Sequence, residues 1–257
     1  MKQLFLLPLL GVLLICNPAL AQNGVIFQYK INSSEGGTGT VKGYYADGSF
    51  RSEVAITMPQ MPNGGINMVS FVQKDKPTTS IQLNDKNKTY TEREIKERPD
   101  TSKGAEATVK ILGNEKIGKY NCIHSQVTQN NHVSEFWMTR EIPEYEKYSS
   151  VHRGSRYMGR GNTMAALKNA NADGFLVKTF SKDMRGVETS VELESFESGT
   201  VSADKFVIPD GYTKAAAPEK GAGAGPGGVD YNKLKDMTPE ERQKFIDNLK
   251  KQQGGGN

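Results

Sequence analysis

Apolar residues at every second position are the feature that most limits what this chain can become. Val25, Phe27, Tyr29 and Ile31 alternate with polar or smaller neighbours, which is the period of a strand with one buried face. The pattern returns at short intervals between turn signals. Val41 to Tyr45 runs into Asp47-Gly48, a hairpin signal, and Phe50 to Ile56 leaves it. Ile66 to Val72 follows a Met-Pro-Gln-Met-Pro-Asn-Gly-Gly loop, and Asn84-Asp85-Lys86-Asn87 separates Ile81 and Leu83 from Thr89 to Arg93. Further strands are expected over Thr108 to Leu112, Lys119 to Thr128, His132 to Thr139, Phe175 to Phe180 and Val187 to Phe196. Short strands at this spacing predict a mainly β (α+β) fold built on a meandering antiparallel sheet.

One hairpin can be given a register. With Asn130-Asn131 as a two-residue turn, Ile123 faces Met138, Ser125 faces Phe136 and Val127 faces Ser134. That face is largely apolar and should point to the core. His124 and Trp137 face each other on the opposite side. Between Ile142 and Gly174 the alternation stops. Pro143 is expected in the first turn of a short helix holding Tyr145 and Tyr148. Asn162 is the expected N-cap of a second helix, Thr163 to Ala170, with Met164 and Leu167 on one face. Tyr145, Tyr148, Met164 and Leu167 form a candidate helix plug over one face of the sheet.

The ends differ from this domain. Lys2 precedes a nearly unbroken apolar run from Leu4 to Ile15, and Ala19-Leu20-Ala21 has the small-x-small pattern of a signal-peptidase site. Residues 1–21 thus predict a signal peptide cleaved between Ala21 and Gln22, and a periplasmic or secreted product. A transmembrane anchor would need about 20 apolar residues, and Ile15 stands before Cys16 where a lipid-attachment signal requires a small residue. No stretch of the mature chain is apolar enough to cross a bilayer as a helix. Residues 22–214 are the β-rich domain. Residues 215–237 begin with a Gly/Ala/Pro run and read as a flexible linker. Residues 238–257 carry a short helix and a disordered end. Thr238 is its N-cap, Pro239 sits at N1, and Glu241 completes a capping box. Arg242, Phe245, Ile246 and Leu249 line one face, a surface for a protein partner in the envelope.

Charge and motif content exclude several functions. The net charge is +4, and the leader carries one lysine and no acid. So weakly basic a chain is no nucleic-acid binder, which needs a concentrated basic surface. After cleavage Cys122 has no internal disulfide partner and reads as a small packing residue. The histidines, His124, His132 and His152, lack metal-site spacing. Ser202-Ala203-Asp204-Lys205 matches Ser-x-x-Lys by chance, without that enzyme class's companion motifs and placed just before a closing strand rather than on a helix. Neither a catalytic residue nor a cofactor is expected. Met58, Met61 and Met68 flank a Pro/Gly-rich loop. Thioethers can hold Cu(I) or form an adaptable apolar lip around a ligand. The lip is the reading favoured over copper, and plain loop packing is the background.

Three segments then stand out: Ile117-Gly118-Lys119-Tyr120-Asn121-Cys122, Glu135-Phe136-Trp137-Met138-Thr139, and Lys205-Phe206-Val207-Ile208-Pro209-Asp210-Gly211-Tyr212. Their order and spacing resemble the domain-of-unknown-function family numbered 4412, exported bacterial proteins reading I-x-G-Y-x-C, x-W-x-T and F-x-I-P-x-G-Y. Lys119, between Gly118 and Tyr120, departs from the contiguous Gly-Tyr. The family is similar in outline to periplasmic lipoprotein carriers of the LolA/LolB type. That resemblance implies a curved sheet or incomplete β-barrel with short helices on one face, and brings no site residues. The reading that follows is an exported, non-catalytic protein binding a lipid or acyl ligand in the hollow of its sheet. The alternative is a structural or protein-interaction component of the cell envelope with a solid core.

Overall fold

A computed structural model describes residues 21–58, 65–95, 107–129, 132–149, 161–183, 186–215, 238 and 241. Twelve strands form one open, curved sheet. In chain order they are β1 (Ala21–Ser33), β2 (Thr38–Ala46), β3 (Ser49–Thr57), β4 (Gly65–Val72), β5 (Thr79–Asn84), β6 (Thr89–Glu94), β7 (Thr108–Ile117), β8 (Tyr120–Gln129), β9 (His132–Thr139), β10 (Phe175–Lys182), β11 (Glu188–Ser202) and β12 (Thr213–Lys214). Across the sheet the order is β12-β6-β5-β4-β3-β2-β1-β11-β10-β9-β8-β7. Every pairing is antiparallel except the short parallel contact of β12 with β6. Two short helices, α1 (Tyr145–Ser149) and α2 (Gly161–Asn169), lie between β9 and β10 in the chain.

The alternation of β1 dictates the main core. Val25, Phe27, Tyr29 and Ile31 are all buried and join Phe136, Met138, Phe175, Val191, Tyr148 and Leu167 on the helix side. Opposite Phe27 on β2 stands Gly43. A Cβ at Gly43 would meet the Phe27 ring at 2.2 Å, so glycine is what lets that ring lie across the strand. The Asp47-Gly48 turn has positive φ at both residues, 46° and 80°, the requirement of the two-residue turn its sequence signals. The β8–β9 register is the expected one, with Ile123 opposite Met138 and Val127 opposite Ser134.

A second apolar layer covers the other face, which the alternation alone did not announce. Phe71, Ile81 and Leu83 are buried there under Ile208 and Tyr212, and Phe206 packs with Tyr44, Ala46 and Val201. The segment after β11 is thus a strap across the back of β2–β6. It is tied down where Arg51 Nη1 donates to the Lys205 carbonyl at 3.0 Å and Gln73 Nε2 to the Phe206 carbonyl at 2.9 Å. Gly211 turns it with φ 81°, and Ala215 N–H donates to the Tyr90 carbonyl. The Lys205–Tyr212 segment, one of the three that carry the family resemblance, therefore has a packing role.

Several boundaries differ from expectation. β7 continues to Ile117 through a bulge between Ile111 and Gly113 that takes up the lost alternation. β11 extends to Ser202 because β1 pairs with it from Ala21 onward, although Glu197 to Thr200 has no strand-like pattern of its own. Pro143 lies outside α1, since Glu144 has φ 55° and breaks the path into the helix. α2 starts at Gly161, so Asn162 is inside the helix and is not its cap. Ser202 to Lys205 enters a 3-10 turn, Ala203–Phe206, where a strand was to follow. Asn130-Asn131, His152 and Met61, like the expected leader up to residue 20 and most of the expected tail, lie outside the described residues.

Candidate functional site

Between sheet and helices the described side chains form a close-packed aromatic core. Tyr29, Phe175 and Leu167 are wholly buried. Phe27 meets Tyr29 and Phe175 edge-on at 5.7 and 5.6 Å, and Tyr148 sits between Tyr45 and Phe196 at 5.2 and 6.0 Å. The Tyr29 hydroxyl donates to the Leu176 carbonyl at 2.8 Å. All four helix-plug residues meet this core: Tyr148 and Leu167 are buried in it, and Tyr145 and Met164 are half-buried against it. Helix α1 is held by Asp173, whose carboxylate accepts from Arg140 Nη2 at 2.6 Å and from the Tyr145 hydroxyl at 2.9 Å. Burial would raise the Asp173 carboxyl, but these two donors outweigh it and hold the group below the usual carboxylate range.

At one end of this core lies a cavity of about 210 Å3 lined by Ile31, Ile56, Met58, Val187, Gly37, Ser33, Thr189, Ser181, Glu35 and Asp183. Ile31 and Ile56 are its buried apolar lining, and its polar lining carries hydroxyls and carboxylates. Hydrogen bonds tie the segments around it. Ser33 N–H donates to the Gly37 carbonyl at 2.8 Å, and Val187 N–H donates to the Asp183 carboxylate at 2.9 Å. The Ser34 hydroxyl accepts from Glu188 N–H at 3.0 Å and joins the two. Met58 is one of the residues that line this cavity. Met68 is elsewhere, on β4 opposite Val54 and 37% exposed.

The opposite face holds a polar cluster that sequence reasoning missed. Glu115 Oε2 accepts from Trp137 Nε1 at 2.7 Å and lies 3.5 Å from His124 Nδ1, while His124 Nε2 is 2.9 Å from Glu135 Oε2. Lys178 Nζ stands 5.2 Å from the Trp137 ring. The hairpin register put His124 beside Trp137. Glu115 could be added only by knowing the β7 bulge. Neighbouring Cys122 is 2% exposed, and burial pushes its thiol up to about 11, which makes it a packing residue rather than a nucleophile at neutral pH. Among the described residues no three His, Cys, Asp or Glu side chains group as a metal site, and no helix is long and apolar enough to cross a membrane.

A larger, open cleft of about 480 Å3 lies where β1, the β2–β3 turn, the end of β4 and the strap meet. Gln22, Asp47, Ser49, Gln73, Lys74, Asp75 and Phe206 line it. Residues so far apart in the chain give no local signal of it.

Comparison with known proteins gives one match to a family model, described as Domain of unknown function (DUF4412), over residues 26–212. No curated protein matches the chain. Similar solved structures include an uncharacterized conserved protein from Thermus thermophilus, at 8% identity and TM-score 0.44, covering 77% of this chain and 91% of that one. A LolA superfamily protein from Nitrosomonas europaea is 7% identical with TM-score 0.24, covering 74% and 91%. A DUF1329 family protein from Desulfovibrio piger is 9% identical with TM-score 0.26, covering 70% and 86%.

Proposed function

This chain belongs to the DUF4412 family, and from that premise we propose that it is an exported, non-catalytic binding protein that takes the end of a lipophilic chain beside Met58. The observation that carries this reading is the cavity at the open end of the core, apolar at Ile31, Ile56 and Met58 and polar at Ser33, Glu35, Ser181 and Asp183. Such a division matches an amphiphile, whose tail leaves water while its head stays in it. The volume narrows the ligand. Sites for whole drug-sized molecules span about 300–1,000 Å3, so about 210 Å3 admits a chain end and not a complete lipid. Because Phe27, Tyr29 and Phe175 are packed together, the proposed ligand is set at this cavity rather than in the hollow of the sheet, where the sequence reading placed it. Cleavage between Ala21 and Gln22 would put the protein in the periplasm or outside the cell.

The test is organic extraction of protein purified from its own cell envelope, followed by mass spectrometry, together with titration of a fluorescent alkyl ligand. The expected result is a co-extracted amphiphile and saturable binding that Met58→Lys abolishes in a protein of unchanged circular dichroism. Failure of both the extraction and the titration would overturn the reading.

A protein-interaction role is the second reading, favoured by one contact pair. Thr238 N–H donates to Glu241 Oε2 at 2.8 Å and Glu241 N–H donates to Thr238 Oγ1 at 3.3 Å. This reciprocal pair is the cap of the helix that the sequence predicts, and on this reading Phe245, Ile246 and Leu249 would dock on an envelope partner. Capture of a partner by the full chain but not by a chain ending at 215 would support it.

A further inference from the structure

We propose that His124 is a proton-operated clamp on the edge strand β7: in acid its ring draws Glu115 of β7 and Glu135 of β9 together, and β7 loosens as the ring loses its proton. The clamp does not rest on the chain-end reading. β7 is the last strand of the sheet, with β8 as its one partner among the described strands. Eight of its ten residues are exposed, and only Val109 and Ile117 are half-buried. A bulge interrupts its pairing with β8 between Ile111 and Gly113. A strand with so few buried apolar contacts lies at the low end of local stability, where one polar contact changes how often it opens.

The geometry around His124 supplies that contact. Its Nε2 lies 2.9 Å from Glu135 Oε2 and its Nδ1 3.5 Å from Glu115 Oε2. A neutral imidazole carries one N–H, so one of its nitrogens turns a lone pair toward a carboxylate. The protonated ring presents an N–H on each side and sets a positive charge between two negative ones. Trp137 holds the ring and one partner in place: its indole stacks on the imidazole at 4.1 Å, and its N–H donates to the same Glu115 oxygen. Other charges face the cluster. On β10 Lys178 stands over the Trp137 ring and lies 3.8 Å from Glu192 of β11. On β7 Lys110 is opposite Gln126, which is itself opposite Glu135. Along β8 lie Cys122 and Tyr120, and burial, which pushes the Cys122 thiol up to about 11, keeps it neutral. The three carboxylates of Glu115, Glu135 and Glu192 against the two ammonium groups of Lys110 and Lys178 leave one negative charge, which a proton on His124 balances.

The test uses the mature, full-length protein. Trp137 is its sole tryptophan, so the indole N–H gives one signal in 1H–15N spectra. That signal should move with an inflection between about pH 5 and 8, the interval in which histidine changes charge, and His124→Gln should remove the inflection. Hydrogen exchange of the β7 amides, corrected for the intrinsic effect of pH, should show protection about threefold higher at the acid end, the scale of one part-exposed ion pair. Glu115→Gln keeps an acceptor for the Trp137 N–H and should still abolish that gain. His132→Gln, at the exposed start of β9, should leave both responses unchanged. A flat indole signal, or β7 protection that is constant or falls in acid, would overturn the proposal. So would the full response in His124→Gln or Glu115→Gln, or its loss in His132→Gln.

Discussion

The indole of Trp137 lies flat against the imidazole of His124, with ring centroids 4.1 Å apart and planes at 12°, on the face of the sheet away from the helices. Trp137 is only 7% exposed, and its N–H is bonded to Glu115. From the hairpin register alone, Trp137→Ala should cost much less than Phe136→Ala. Burial on both faces removes that difference. Each substitution should cost about 3–5 kcal/mol, the range for deleting a buried aromatic ring. Urea unfolding of the two variants checks this, and a Trp137→Ala loss below about 1 kcal/mol would show the outer layer to be loose.

Tyr29→Phe removes the buried donor to the Leu176 carbonyl and should cost about 1–3 kcal/mol. The same hydroxyl predicts a pH dependence. Burial foremost, and then the nearby Tyr120, raise the Tyr29 hydroxyl well above its ordinary value, so the folded chain holds this proton more tightly than the unfolded one. Its contribution is complete below the ordinary value of about 10 and is lost as pH rises beyond that toward the folded value. Thermal melts from pH 8 to 11 should fall more steeply for the native chain than for Tyr29→Phe. Parallel curves would contradict the assignment.

Cys122 should not react with a thiol reagent at pH 8 in the native protein and should react stoichiometrically in guanidinium chloride. The burial that pushes its thiol up to about 11 also blocks access. Cys122→Ser should fold normally at a cost of about 1 kcal/mol. Rapid labelling of the native protein would assign the residue a different role.

The mature protein is expected to begin at Gln22 and to carry no acyl chain. β1 begins at Ala21 and Gln22 already pairs with Val201, so cleavage after Ala21 leaves the strand from Gln22 onward. Intact mass decides this, and a diacylglyceryl addition at Cys16 would overturn the expectation.

Removing residues 216–257 should leave the melting temperature within about 2 °C of the full chain, where 1 kcal/mol is worth about 2–4 °C in a domain of this size. The described part of the strap ends at Ala215, bonded to Tyr90, so the truncation spares every strand contact among the described residues. A drop of many degrees would mean that the helix predicted after Thr238 packs on its own domain.

Strand positions, the β8–β9 register and the Thr238–Glu241 cap were legible in the sequence because each depends on near neighbours. Alternation sets which face a strand buries, and a register follows once two strands share a short turn. Tyr148 and Leu167 were expected on two short helices, and both lie on helices that pack into the core. Tertiary structure decided what two-residue periodicity cannot express. β11 reaches Ser202 because β1 lies beside it, against weak local propensity. Trp137 is buried because the bulge at Gly113 carries Glu115 to it. The strap closes over Phe71 and Ile81 from more than 120 residues away in the chain. For the same reason neither the cavity at Met58 nor the cleft at Gln22 could be read locally: each is made of side chains brought together only when distant strands pair.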